Sequence, residues 1–399
     1  MKDVILSKKG ERTSLFWRSG RTALPTAGRG GITAPRPGNS RTGNSGLKCS
    51  GDSDTNWVFK IPPERRTLVS EYKVKISGIS MYVPERVLTN ADLEKMVDTT
   101  NDWILERTGI HERHIVEKGQ ATSDLAAQAI LRLCSSRGIE PADIDLIIIP
   151  SVTPDMFFPS TACVVQEKIG AKNAWGFDLS GACSGFIFAL AVGEKFVRTG
   201  VHRRVVVVGA ETMSSIVDYT DRATCVLFGD GAGAALLEPA DENEVGLKDF
   251  VLRTDGSGGK FLYMPGGGSL NPPSHETVDK KMHVIHQEGR QVYKFAVTEM
   301  ASASEEILRR NNLAPEQLKL FVPHQANLRI ISACAERLGL RDDQVIVNID
   351  RYGNTTSATI PICLYEAARD GRIRKGDWIV LASFGAGFTW GSSLLRWEI

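Results

Sequence analysis

Three side chains in this sequence could together perform nucleophilic acyl chemistry: Cys183, His324 and Asn354. Cys183 lies in "DLSGACSGF" (178–186), between the apolar runs "AWGFDL" and "SGFIFALAVGEKF". The first reads as a buried strand and the second as a buried helix. Small residues at the joint permit a sharp turn and close backbone approach. A thiol there sits at a helix N-terminus, where the dipole and free N–H groups favour the thiolate. The stretch also fits a core cysteine, a common place for a free thiol. A cysteine nucleophile needs partners. His324 follows the apolar run in "LKLFVPHQANLRI", Asn354 stands in the Gly-marked turn of "RYGNTTSATIP", and "SFGAGFTWG" supplies a glycine loop. Alone, a His after a strand reads as structural and Asn-Thr-Thr as a helix cap. Three such residues, each at a strand end, read together as a site.

The elements that must position them repeat. "PADIDLIIIP" (141–150) is similar to "PEQLKLFVPH" (315–324), 174 residues later. "TGVHRRVVVVGA" (199–210) is similar to "DGRIRKGDWIVLAS" (370–383), and "FGDGAGAALLE" (228–238) to "FGAGFTWGSSLLRWE" (384–398). Extra residues in the first half, "ETMSSIVDYTDRATCVL", separate its last two strands. Unbroken Val/Ile runs alternating with helices predict strands covered on both faces. The expectation is an α/β chain made of a duplicated unit, halves at 71–240 and 241–399, with the site where they join.

Composition narrows the class. The chain has 399 residues, 42% hydrophobic and 24% charged, with net charge +1. No global field points to nucleic acid or a membrane surface. Seven cysteines without a CxxC argue against a disulfide framework or a zinc finger and fit a reducing compartment. No apolar run approaches the roughly 18 residues that would span a bilayer. Residues 1–70 differ from the rest. Residues 1–50 hold ten Lys/Arg against two acids and show no apolar period, which predicts disorder. A transit peptide, an unstructured tail and upstream sequence ahead of a true start near Leu68 or Val69 all fit. The charged opening "MKDVILSKKGER" favours the last two together, hence a cytoplasmic protein, with a plastid as the alternative if the segment is a transit peptide.

From about Tyr72 onward the chain resembles the β-ketoacyl-acyl carrier protein synthase III family. The resemblance rests on "DLSGACSGF", "HQANLRI", "YGNTTSATIP" and "FGAGFTWGS", with "NDWILERTGI", "FFPSTACVVQ" and "TDRATCVLFGDGAGA" in support. It implies a thiolase-like fold, itself a duplicated α/β unit with helices on both faces of mixed sheets. It also implies the condensation of a starter acyl-CoA, acetyl-CoA being expected, with malonyl-acyl carrier protein at the start of type II fatty-acid synthesis. Cys183 would be the acylated nucleophile, with His324 and Asn354 completing the triad. Trp103, Arg107 and Arg222 would clamp the adenine and phosphates of coenzyme A. Phe158 would reach the acyl pocket of the partner subunit in a homodimer. Gln325, Arg329 and Lys294 would meet the acidic carrier protein.

The chemistry of these residue types agrees. The N–H groups of Cys183 and Gly385 can form a preorganised oxyanion hole for the acyl step. His324 Nε2 and the Asn354 amide can donate to the enolate oxygen left when malonyl loses CO₂. No metal or redox cofactor is needed, because the substrates carry the activation. A thiolase would need a second cysteine in "FGAGFTWG", elongating condensing enzymes use two histidines, and a hydroxymethylglutaryl-CoA synthase needs a glutamate acid for which no motif is visible. A related type III polyketide or secondary-metabolite ketosynthase and a non-catalytic acyl-binding homologue remain as alternatives. A metal site at His283 and His286 is too sparse.

Overall fold

A computed structural model describes residues 72–399. The expectation of disorder for residues 1–70 lies outside the described residues. The first sheet takes β1 (Val74–Tyr82), β2 (Leu146–Pro150), β3 (Trp175–Leu179), β4 (Val205–Thr212) and β5 (Asp230–Pro239), ordered β1-β5-β4-β2-β3. The second takes β6 (Leu247–Thr254), β7 (Leu320–Pro323), β8 (Trp378–Gly385) and β9 (Thr389–Arg396), ordered β7-β8-β9-β6. In the first, β2 pairs in parallel with β3 and β4; in the second, β7 pairs in parallel with β8; the remaining pairs are antiparallel. The second sheet lacks a full counterpart of β3; an isolated parallel bridge between Phe321 and Val345 stands in its place.

Side-chain alternation builds the layers. Ile148, Val205 and Val207 of the first sheet and Val322, Ile379 and Leu381 of the second turn toward one shared core. Helices α4 (Gly185–Arg198) and α7 (Thr359–Arg369) fill that core through Phe186, Leu190, Ile360 and Leu364. On the outer faces, α2 (Thr122–Arg137) and α3 (Thr161–Lys168) pack on Ile147, Ile149 and Val206. Helices α5 (Gly289–Arg310) and α6 (Leu328–Arg337) pack on Phe321 and Val380. Five layers follow, and the segments 71–240 and 241–399 share the middle one. The described residues accordingly belong to a single compact unit.

Both middle helices begin the same way. A single 3₁₀ turn precedes each, Ala182–Ser184 before α4 and Thr356–Ala358 before α7. In each, the first residue is left-handed though not glycine, Ala182 at φ 47° and Thr356 at φ 50°. Each such conformation costs about 1–3 kcal/mol and persists only where the surroundings enforce it. Among the described residues no helix is long and apolar enough to cross a membrane.

Candidate active site

Cys183 sits in the first of these turns, between β3 and α4, and is 7% exposed. Second-half residues clamp the turn: Ser383 Oγ donates to Cys183 O (2.7 Å) and Thr389 Oγ1 to Gly181 O (3.0 Å). Gly385 lies directly against it. A Cβ there would fall 2.8 Å from Cys183 N, so a larger residue would push the two main chains apart.

The resting thiol departs from expectation. A place near a helix start favours a thiolate, but burial and the nearby Glu211 carboxylate push Cys183 up to about 12 against a smaller opposing backbone hydrogen bond. Desolvation outweighs the dipole, and the thiol is protonated at rest.

His324 follows β7 and is 2% exposed, its N–H bonded to Ala382 O. Burial alone pulls its imidazole down to about 3, so the ring is neutral. Nδ1 lies 2.7 Å from Thr359 Oγ1, which lies 3.1 Å from Thr356 O, and Nε2 has no partner among the described residues. One hydroxyl proton faces two acceptors. When it points at Thr356 O, Nδ1 carries the ring proton and Nε2 can only accept. When it points at Nδ1, Nε2 is a donor, as the enolate role requires.

Asn354 is sewn to the first half: its N–H donates to Leu227 O (2.8 Å), and Gly229 N–H donates to its carbonyl (3.1 Å). Its Oδ1 accepts from Thr356 N–H (2.9 Å), which assigns the amide and leaves Nδ2 as the donor end. Cys183, His324, Asn354 and Gly385 border one cavity of about 600 Å³.

Helix α1 (Asn101–Thr108) forms one side of the mouth and is tied to the start of α6 by Asn327 Nδ2 donating to Arg107 O (2.7 Å). The Arg107 and Arg222 guanidinium centres lie 4.4 and 5.2 Å from the Trp103 ring centroid. A flat face and two phosphate-matching forks therefore meet here. Arg329 is exposed at the mouth, 5.5 Å from the Tyr293 ring centroid, and Lys294 is exposed on α5.

One expectation needs correction. Gln325 cannot dock a carrier protein from where it stands. It is 1% exposed, its Nε2 donates to Pro323 O and Ile346 O, and its Oε1 accepts from the Asn348 and Ile349 N–H groups. The amide is consumed in holding the chain around His324. Phe177 packs with Trp175 and Phe196 and does not border the cavity. From the 255–275 segment, Leu262, Tyr263 and Met264 do border it. Phe158 is 84% exposed and does not line the cavity of its own chain. His283 Nε2 is taken up by Thr277 Oγ1 (2.8 Å), and the His286 ring stacks on Tyr263.

Glu211 was not visible as a site residue. At the end of β4 it reads only as the close of a Val run, yet it is fully buried and accepts from Ser151, Thr153 and Ser357 hydroxyls. Burial pushes its carboxyl up to about 7 against those donors.

Comparison with known proteins agrees with this architecture. Residues 177–256 match the family described as 3-Oxoacyl-[acyl-carrier-protein (ACP)] synthase III, and residues 308–397 match its C-terminal region. The chain is 55% identical over 331 residues to the beta-ketoacyl-[acyl-carrier-protein] synthase III of Koribacter versatilis, covering 83% of this chain and 99% of that one. The crystal structure of 3-oxoacyl-[acyl-carrier-protein] synthase III from Aquifex aeolicus superposes with a TM-score of 0.76 at 41% identity, covering 81% of this chain and all of that one. The priming β-ketosynthase of the R1128 polyketide pathway superposes with a TM-score of 0.77 at 32% identity, over 82% of this chain and 97% of that one. The fold is thiolase-like, and the chain belongs to the β-ketoacyl-acyl carrier protein synthase III family.

Proposed function

We propose that this cavity carries out the initiating condensation of fatty-acid synthesis with Cys183 as the acylated residue. The protein is an acyltransferase that joins a starter acyl group to a malonyl extender with loss of CO₂. The observation that carries the residue assignment is the meeting of Cys183, His324, Asn354 and Gly385 around one cavity, delivered from both halves.

In the first step the Cys183 sulfur attacks the thioester of acyl-CoA, and the thiol proton leaves with the coenzyme A sulfur. Because the thiol is protonated at rest, deprotonation accompanies attack. The tetrahedral oxyanion is met by the Cys183 and Gly385 N–H groups. In the second step, malonyl-acyl carrier protein loses CO₂, and the charge moves to the thioester oxygen. His324 Nε2–H and Asn354 Nδ2–H donate to it. The enolate carbon then attacks the acyl-cysteine, the thiolate leaves, and a proton from solvent restores the thiol. The substrates supply every electron the scheme moves, so it calls for no cofactor.

Trp103, Arg107 and Arg222 are the proposed coenzyme A clamp, and Arg329 with Lys294 the carrier-protein contact. Phe157 and Phe158, 77% and 84% exposed on the loop after β2, together with the edge strand β3, support a homodimer in which that loop enters the partner. The six described cysteines are free thiols, consistent with a reducing cytoplasm. Mass spectrometry of the chain after exposure to a mixture of acyl-CoA species tests the reading. One acyl group on Cys183, discharged by malonyl-acyl carrier protein with release of CO₂, is expected. A preference for starters longer than acetyl would overturn acetyl-CoA as the expected starter.

A further inference from the structure

Among the described residues that border the cavity, one hydroxyl is both buried and unpaired. Thr356 borders the cavity with Cys183, His324 and Asn354. It is 2% exposed, and its Oγ1 has no hydrogen-bond partner among the described residues. A buried hydroxyl left unpaired is costly, and each native instance asks for a cause. Thr355 Oγ1 is also unpaired, but Thr355 does not border the cavity. The Thr356 main chain is fully engaged: its N–H orients Asn354, and its carbonyl lies 3.1 Å from the Thr359 hydroxyl that braces His324. Its φ of 50° is rare for a β-branched residue. Both enolate donors are thus anchored to the residue that carries the idle hydroxyl.

We propose that the Thr356 hydroxyl binds the carboxylate of the malonyl extender, an inference that rests on the condensation proposed above. The other oxygens of that reaction have donors: His324 and Asn354 at the thioester, main-chain N–H groups at the acyl carbonyl. The carboxylate is the acceptor left over. The cations that border the cavity, Arg107, Arg290 and Arg329, are exposed side chains, while Val152, Met213 and Phe228 furnish apolar wall. A neutral donor suits a group that must shed its charge. The bond from the α-carbon to the carboxylate carbon breaks, its electron pair enters the enolate, and neutral CO₂ departs. A cation would hold the carboxylate more firmly than the transition state and slow the step. One neutral hydroxyl orients the group and holds it about equally before and at the transition state.

The contribution is binding shared by the ground and transition states, so its loss raises KM and spares kcat. Thr356→Val keeps the β-branched shape and removes the hydroxyl. With the full chain acylated from acetyl-CoA, KM for malonyl-acyl carrier protein should rise about tenfold and kcat change less than about threefold. Thr356→Ser should restore KM. The yield of acyl-Cys183 reports folding, and if Thr356→Val fails that check, Thr356→Ala is read in the same way. An unchanged KM on removing the hydroxyl overturns the inference. So does a kcat loss shared by the Val and Ser variants, which would mean that Thr356 acts only through its main chain. A wild-type chain that acylates Cys183 but releases no CO₂ from malonyl-acyl carrier protein would instead overturn the condensation reading.

Discussion

The turn that carries Cys183 and the turn that carries Ser357 are the same structure made twice, put to opposite uses. Each follows a left-handed residue and feeds a middle-layer helix. They also face each other: a Cβ on Gly185 would lie 3.8 Å from Ser357 Cβ. Cys183 borders the cavity, whereas Ser357 does not. Its Oγ lies 2.8 Å from Pro150 O and 3.0 Å from Glu211 Oε1, pinning the ends of β2 and β4. The difference lies in access. Cys183 opens on a space a substrate can enter, whereas Ser357, at the second position of the other turn, bolts the halves together. The second half has a serine where the first has Cys183, and it supplies the proposed donors, His324 and Asn354.

Exchanging the two residues should break the comparison most sharply. Cys183→Ser is expected to abolish the covalent acyl-enzyme seen by intact-protein mass spectrometry. Adding Ser357→Cys to that variant should not bring it back, since position 357 does not border the cavity. Acylation at position 357 would show that the turns are chemically equivalent.

The next effect separates the halves by step. His324→Ala and Asn354→Ala should each lower decarboxylation of malonyl-acyl carrier protein by about 10²–10³, the usual cost of one oxyanion donor. Acylation of Cys183, served from the main chain, should fall much less. Equal losses in both half-reactions would remove the enolate role.

Arg329→Glu tests the rim. KM for malonyl-acyl carrier protein should rise about tenfold, and the salt dependence of condensation should flatten, since exposed charges are screened within about 8–10 Å. Acylation by acyl-CoA should hardly change. Parallel loss in the two half-reactions would make Arg329 a support of the site rather than a docking contact.

The smallest expected effect concerns pH, because two buried groups oppose each other. Burial raises Glu211 to about 7, so the native state binds its proton more tightly than the unfolded chain. That contribution to stability weakens as pH rises from about 4.5 to 7. His324 is lowered to about 3, so the unfolded chain takes its proton first, and that contribution strengthens as pH rises from about 3 to 6.5. Between pH 4.5 and 6.5 they nearly cancel. Glu211→Gln should expose a rising slope of up to about 1.4 kcal/mol per pH unit, and His324→Ala a falling one. Denaturant unfolding at several pH values measures both, and parallel slopes in the two variants would refute the opposition.

How far the sequence reveals this site depends on what holds each residue. The strands "DLIIIP" and "LKLFVP" announce themselves through unbroken apolar runs, and each is preceded by a Pro-led 3₁₀ turn, at Pro141 and Pro315. Their partners "VVVVGA" and "WIVLAS" follow the same logic, so the duplicated frame was legible. Cys183, His324 and Asn354 were legible because each closes a strand or opens a helix. Glu211, Thr356 and Thr359 were not. Their roles come from what approaches them across the fold, and nothing local to "VVVVGAET" or "NTTSAT" records that approach. Gln325 misled for the same reason: its neighbours in sequence border the cavity, while its own amide turns inward to the main chain.

The buried, protonated state of Cys183 also bears on survival under oxidative stress. Peroxide attacks thiolates, and susceptibility follows thiolate character and exposure. A thiol held up to about 12 and 7% exposed offers an oxidant almost nothing between turnovers. Sulfinic acid formation at Cys183 should therefore be slow in the resting protein and fastest when the proposed condensation releases the thiolate. Damage should accumulate with catalytic cycles rather than with time, and an idle pool of the protein would keep its capacity through an oxidative burst.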